Sequence, residues 1–285
     1  MKTVIFGDSH IKKGNLWELD KIFEEIEDYL DKNTILICLG DYYERNILDS
    51  ESLDFGTRWA KRYKDKVKKY YMITGNHTAY SKDITSVTYL NKLDIEVVNE
   101  LELDDMFFGH FCVKEARKGF GSNISIKDLR KYKYVFLGHQ HRYEKIENIY
   151  QLGSIIYEKF DEVGEDKRIA VIEDDRVSII KLTSPVKMYD ACSIERLVDI
   201  PVNTKVRYTV QDYNRFLSEA EKIMEIVKKK SFITFKFKYD IKEEKKDIEK
   251  IEIINLKEYL YKRIKEIENK EVKKELLEII GDIVE

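Results

Sequence analysis

Residues 134–144 read YVFLGHQHRYE: an apolar run, a turn at Gly138, and then His139 and His141 around Gln140. The chain has five histidines, and two of them stand here, directly after a stretch with the character of a buried strand. The same order recurs upstream. TVIF (3–6) is followed by Gly7-Asp8-Ser9-His10, TILICL (34–39) by Gly40-Asp41, YYMIT (70–74) by Gly75-Asn76-His77, and MFF (106–108) by Gly109-His110. Five times an apolar strand meets a glycine and then a side chain able to hold a metal. Every histidine of the chain falls inside one of these blocks.

Helical patterns separate the strands. Leu16, Leu19, Ile22, Phe23, Ile26, Tyr29 and Leu30 share a helix face, and residues 50–63 predict a second helix burying Leu53, Trp59, Ala60 and Tyr63. Continuous apolar strands alternating with helices predict an α/β layered domain with its sheet covered on both faces. In such sheets the strand C-termini point to one edge, where ligands bind. Glycine is expected to allow the tight turn that drops a side chain over that edge. Segments spread along the first half of the chain are thereby expected to converge.

From about residue 146 the pattern becomes antiparallel. KIENIYQLGSIIYEKF and KRIAVIEDDRVSIIKL alternate like paired strands, with Gly153, Gly164 and Asp174-Asp175 as punctuation. Periodicity fades between 185 and 205, around Pro185 and Pro201, and a boundary is expected there. Beyond it, Tyr213, Phe216, Leu217, Ala220, Ile223, Met224 and Val227 form one helical stripe, and FITFKFKYD (232–240) alternates as a strand. The end reads as two helices, with Asn255 and Glu258 as a capping box and Asn269 as a second candidate cap. The expected organisation is a large α/β domain over 1–190, a small α/β unit over 203–254 and C-terminal helices over 255–285. The stripe of Leu256, Tyr259, Leu260 and Ile264, and that of Leu276, Leu277, Ile279, Ile280 and Ile283, suit either a partner or the helices' own domain.

The bulk composition bounds the function. With 285 residues, 43% hydrophobic and 37% charged, the chain is expected to be globular with a heavily charged surface. A net charge of −3 advertises neither nucleic acid nor an anionic membrane, although a local patch does not register in a sum. Cys38, Cys112 and Cys192 are scattered and form no C-x-x-C pair, which predicts reduced thiols in a cytoplasmic protein. The N-terminal apolar run is too short for a signal peptide, and no window reaches the length of a membrane span.

Asp, His and Asn donors without thiolate suit Mn, Fe, Zn or Mg. Asp8, His10, Asp41, Asn76, His110, His139 and His141 exceed the needs of one ion. With one shared carboxylate they would fill two sites with the metals about 3.5–4 Å apart, as in two-metal phosphoester hydrolases.

D-x-H, G-D, G-N-H, a lone His and G-H-x-H, in this order, resemble the calcineurin-like metallophosphoesterases over roughly residues 1–185. The resemblance implies a four-layer α/β/β/α sandwich with a dinuclear metal centre. It implies that Asp8, His10 and His141 hold one divalent ion, that Asn76, His110 and His139 hold the other, and that Asp41 bridges them. His77 matches the family's non-ligand histidine, which stabilises the transition state or protonates the leaving oxygen. DLRKYKYVFLGHQHRYEKIENIYQLGSIIYEKF, with its Gly153-Ser154 turn, is similar to the nuclease subunit of SbcCD-type DNA repair complexes of phages and bacteria. That likeness implies a Mn2+-dependent DNA exo- or endonuclease, with Mg2+, Fe2+ or Zn2+ as alternatives. It also implies a cap domain, a coiled-coil ABC-type ATPase partner and a homodimer.

The chain departs from that branch in three places, one of them a short segment between His77 and His110. GDYYER carries Glu44 and Arg45 where the nucleases have an apolar pair and an Asp, and Thr78 stands where an acid usually follows G-N-H. A stand-alone phosphatase or small-nucleotide phosphodiesterase is the competing expectation. A non-catalytic binding protein on the same scaffold is a third, weakened because no ligand position is missing. Tyr42, Tyr43 and Tyr80 lie near the motifs and could stack on bases, although ordinary packing is the favoured expectation. Gln140 is expected to point away from the site.

Overall fold

The computed structural model describes residues 2–78, 85–116 and 124–240. They lie in the first of two units into which the chain divides, Met1–Asp240 and Ile241–Glu285. The helices expected over 255–285, the end of the small α/β unit expected over 203–254 and Tyr80 fall outside the described residues.

Apolar runs with no polar face fold as strands only where both faces are covered. TVIF and TILIC lie in β1 (Lys2–Phe6) and β2 (Thr34–Cys38), almost wholly buried. Between them α1 (Leu16–Glu27) turns Leu19, Ile22, Phe23 and Ile26 inward, each fully buried. Burial of side chains of this size is worth roughly 1.5–3 kcal/mol apiece. The second helix, α2 (Ser50–Lys66), starts at Asp49, whose carboxylate accepts from the Ser52 amide at 2.9 Å. After it come β3 (Lys69–Ile73) and the short β4 (Glu96–Val98), and β1 to β4 run parallel.

A second sheet follows, from β5 (Leu101–Leu103), β6 (Met106–His110), α3 (Ile126–Leu129), β7 (Tyr134–Gly138), β8 (Glu144–Ile146) and β9 (Ile149–Gln151). Its order is β5-β6-β7-β9-β8, with β6, β7 and β9 parallel. The chain then returns. The hairpin of β10 (Arg168–Glu173) and β11 (Arg176–Lys181) pairs antiparallel to β1, giving a first sheet of order β11-β10-β1-β2-β3-β4.

The two sheets pack face to face. Ile5, Ile37, Leu39 and Ile73 meet Phe108, Phe136 and Tyr150, with the Phe136 and Tyr150 rings stacked at 5.0 Å. α1 and α2 cover the outer face of the first sheet, and α3 with Val113 and Tyr132 that of the second. The result is the expected α/β/β/α sandwich. Tyr42 and Tyr43 are core residues: the Tyr42 hydroxyl donates to the Gly56 carbonyl at 2.8 Å, and that of Tyr43 meets Tyr89 at 2.6 Å. Full burial removes both from any role in stacking on bases.

A third sheet with its helices follows: β12 (Met188–Ala191), α4 (Ile194–Asp199), β13 (Lys205–Val210), α5 (Tyr213–Lys230) and β14 (Thr234–Tyr239). Its three strands are parallel, and Val206, Tyr208 and Val210 alternate inward against Leu197 and Ile223. The stretch 185–205 is therefore not an irregular linker. A four-residue strand and a six-residue helix between Ser193 and Pro201 are too short to register as periodicity. For the same reason β4 and β5 leave no sequence pattern. Residues 152–159, expected to continue the alternation, are loop.

Candidate metal centre

β1, β2, β3, β6 and β7 end at one edge, and the five glycine blocks meet there. The structure places Asp8, His10 and His141 in one group and Asp41, His110 and His139 in a second. Within each group the donor atoms lie within 4.8 Å of one another. A third group of the same span joins Asp41 to His10 and His77, so the Asp41 carboxylate stands between the two clusters.

The glycines do not act as expected. Gly7, Gly75, Gly109 and Gly138 lack left-handed backbone, and of the five only Gly40 has it, at φ +104°. That conformation falls on the acidic and histidine residues themselves: Asp8 (φ 52°), His10 (47°), Asp41 (43°) and His139 (81°). Asp and His tolerate it better than most residues, and such strain concentrates at functional sites. The glycines serve close approach instead. A Cβ on Gly75 would stand 2.0 Å from Asp41 Oδ1, and one on Gly138 would stand 2.4 Å from the Leu39 carbonyl oxygen.

In the first cluster both histidines are held from behind by carboxylates. His10 Nδ1 lies 2.9 Å from Glu44 Oε2, and His141 Nδ1 lies 3.1 Å from Glu162 Oε1. A carboxylate accepts, so the His141 Nδ1 carries the proton, whereas the His10 Nδ1 meets Glu44 as a charge contact without hydrogen-bond alignment. The two Nε2 atoms face each other at 3.0 Å, with Asp8 Oδ1 4.0 Å from His10 Nε2. Asp8 is fixed by the His139 amide, which donates to its two oxygens at 3.0 and 3.2 Å.

In the second cluster His110 Nδ1 donates to the Leu39 carbonyl at 2.7 Å. Its Nε2 faces Asp41 Oδ2 at 3.0 Å and Asn76 Oδ1 at 3.1 Å, and Asn76 Oδ1 is also 2.8 Å from His139 Nδ1. Asp8, His10 and Asp41 are buried, whereas Asn76, His77 and His139 are exposed.

The charges follow from this crowding. Burial disfavours a charged His110, but the Asp41 carboxylate overrides it and raises the imidazole to about 9. Burial likewise opposes the Asp41 carboxylate, and His110 still holds it down to about 2. Burial lowers His10 too, yet Glu44 and Asp8 carry it above the ordinary histidine value. His139 is lowered, first by burial and then by the charge on His110. Carboxylates and imidazole nitrogens that converge in this way, and that a cation would free of their shared protons, are the donor set of a cation site. Nitrogen with hard oxygen and no sulfur fits divalent ions of intermediate hardness.

His77 donates its backbone amide to Asp41 Oδ1 at 2.9 Å, and its Nδ1 reaches the Glu44 carbonyl at 3.0 Å. A carbonyl accepts, so Nδ1 is protonated and Nε2 is left at the exposed mouth. Gln140 turns away from the site and donates to Glu144 at 3.0 Å. Sequence reasoning missed Glu162 and Lys167, and it noticed Glu44 only as a departure from a motif.

The fold is a two-sheet α/β sandwich whose strand ends gather Asp, His and Asn donors into groups that could hold metal ions. Residues 1–117 match the family model described as calcineurin-like phosphoesterase, a span that contains Asp8, His10, Asp41, Asn76, His77 and His110. The chain is also similar to solved structures. For the phosphoesterase Yfce of E. coli the identity is 16%, over 63% of this chain and 92% of that one, at a TM-score of 0.37. For an archaeal phosphodiesterase it is 16%, over 64% and 100%, at 0.39. For the Pseudomonas putida nuclease MPE it is 22%, over 62% and 87%, at 0.34. No curated protein matches the chain. Among the described residues no helix is long and apolar enough to cross a membrane.

Proposed function

We propose that this chain is a divalent-metal-dependent phosphodiesterase acting on DNA. The observation that carries the hydrolytic reading is the position of Asp41, whose carboxylate belongs to a ligand group with His10 and to another with His110 and His139. Asp8, His10 and His141 would hold one ion, Asn76, His110 and His139 the other, with Asp41 shared. Bound there, a pair of divalent ions would supply a hydroxide nucleophile at neutral pH and neutralise charge on the phosphoryl oxygens. Mn2+ is the ion proposed, in keeping with the mixed nitrogen and oxygen donors.

The chain's own residues do the rest. The Glu44 carbonyl orients the His77 ring, so that a protonated Nε2 donates toward the mouth of the site. From there it stabilises the departing oxygen or gives it a proton. The Leu39 carbonyl accepts from His110 Nδ1 and keeps its Nε2 turned inward, and Glu162 does the same for His141.

Two features support a diester over a monoester. The exposure of Asn76, His77 and His139 leaves the second cluster open to a phosphate with substituents on both sides. The stretch from 128 to 160 is similar to the SbcCD-type nucleases, and an α/β cap follows the sandwich as in that branch. The same likeness proposes a coiled-coil ABC-type ATPase as partner. The test is Mn2+-dependent cleavage of linear duplex DNA beside bis- and mono-p-nitrophenyl phosphate. Diester and DNA cleavage is expected. Strong monoester turnover without DNA cleavage would replace this reading with a phosphatase.

A further inference from the structure

We infer that Glu162 is the positioning residue of the first metal site, clamped by Lys167 and the Lys159 amide so that His141 presents Nε2 and no other atom. The inference rests on the two-cation reading above. Glu162 lies 21 residues beyond His141, in a short 3-10 turn over Phe160–Glu162, and is 1% exposed. Its Oε1 accepts from His141 Nδ1 at 3.1 Å and from the Lys159 amide at 2.9 Å. Its Oε2 accepts from Lys167 Nζ at 2.5 Å. Lys167 Nζ also donates to the Ser154 hydroxyl oxygen at 2.9 Å, and that hydroxyl gives its proton to the Ile156 carbonyl at 2.7 Å.

The same group grips the His141 backbone. Its carbonyl accepts from the Ser154 amide at 3.2 Å and from Lys167 Nζ at 3.3 Å. Gly153 is left-handed, at φ +85°, and a Cβ there would stand 2.9 Å from that carbonyl oxygen. The Gly-Ser turn is thus shaped to hold one histidine. Lys167 is 3% exposed, and its ammonium also sits 4.7 Å from the Tyr157 ring centre.

A buried carboxylate and ammonium are costly to desolvate, and a buried pair is a poor way to stabilise a fold. Its placement behind a metal-facing histidine gives it a different use. Held by Lys167 and the Lys159 amide, the Glu162 carboxylate accepts the His141 Nδ1 proton and leaves Nε2 as the ring nitrogen that faces the site. Losses of this kind of partner cost about 10- to 100-fold in metal affinity.

The test is Mn2+ binding by calorimetry and by the loss of the free-Mn2+ paramagnetic resonance signal. Metal-free wild type is compared with Glu162→Gln and with the double variant Glu162→Gln/Lys167→Met, and folding is checked by thermal unfolding. The double variant removes both charges, so it avoids stranding Lys167. Two equivalents are expected for wild type. In both variants one equivalent is expected to weaken about 10- to 100-fold while the other stays within about threefold.

If the pair were merely structural, the double variant would recover wild-type Mn2+ affinity together with its stability, and that result overturns the inference. Unchanged binding in a folded Glu162→Gln overturns it as well. A wild-type chain that takes up no Mn2+ overturns the two-cation reading itself, and the inference falls with it.

Discussion

The two halves of the metal centre are built from similar donors in different settings. The cluster of Asp8, His10 and His141 is closed, and carboxylates stand behind both of its histidines. The cluster of Asp41, Asn76, His110 and His139 is open. His110 is backed by a main-chain carbonyl, and His139 and Asn76 reach solvent. A carboxylate behind an imidazole strengthens the opposite nitrogen as a donor more than a neutral carbonyl does. Burial also shields the charge–charge attraction from water. On the proposed function, the difference would let one end of the site retain an ion and the other admit a substrate.

The change with the largest expected effect is Asp41→Asn, which removes the shared carboxylate and should erase the distinction between the clusters. Binding of both Mn2+ equivalents is expected to collapse, and kcat to fall by at least about 10²-fold, the scale for losing one electrostatic stabiliser. Inductively coupled plasma mass spectrometry and a bis-p-nitrophenyl phosphate assay read the two effects. One retained equivalent would show that Asp41 is not shared.

Next in size is His77→Ala. Turnover should drop about 10²- to 10⁴-fold, as for loss of a general acid, with the metal content of both clusters kept. Wild-type rates would remove His77 from the chemistry.

The smallest effect is a dependence on pH. His110 is raised from 6.5 to about 9 in the metal-free chain. Its ion pair with Asp41 therefore stabilises the metal-free fold fully below pH 6.5, and that contribution is lost as pH rises through about 9. A cation needs the same Nε2 lone pair, so uptake must expel this proton. Mn2+ affinity of the open cluster should rise about tenfold per pH unit between 6.5 and 9. Calorimetry in buffers of different ionisation enthalpy counts the proton, and a pH-independent affinity would contradict the assignment.

The sandwich and the gathering of seven donors were legible because each donor follows an apolar strand, and parallel strands deliver their ends to one edge. What the pattern could not carry is equally physical. Glu162 and Lys167 sit in EKFDEVGEDK, a stretch with the composition of a solvated loop. Only the fold shows that two of its charges are buried against each other behind His141. The glycines suggest tight turns in the sequence, whereas most give room for Asp41, His110 and the Leu39 carbonyl. Tyr42 and Tyr43, adjacent to a ligand in sequence, point into the core beneath α2 because the chain reverses side there.

The central claim is a paired-cation phosphoester hydrolase, and a stepwise titration tests it most directly. Mn2+ is added to the metal-free protein while binding and bis-p-nitrophenyl phosphate hydrolysis are followed together. The account predicts two equivalents per chain, the first nearly silent and the second bringing the activity. Full activity at one equivalent, or turnover that survives in excess EDTA, would contradict it.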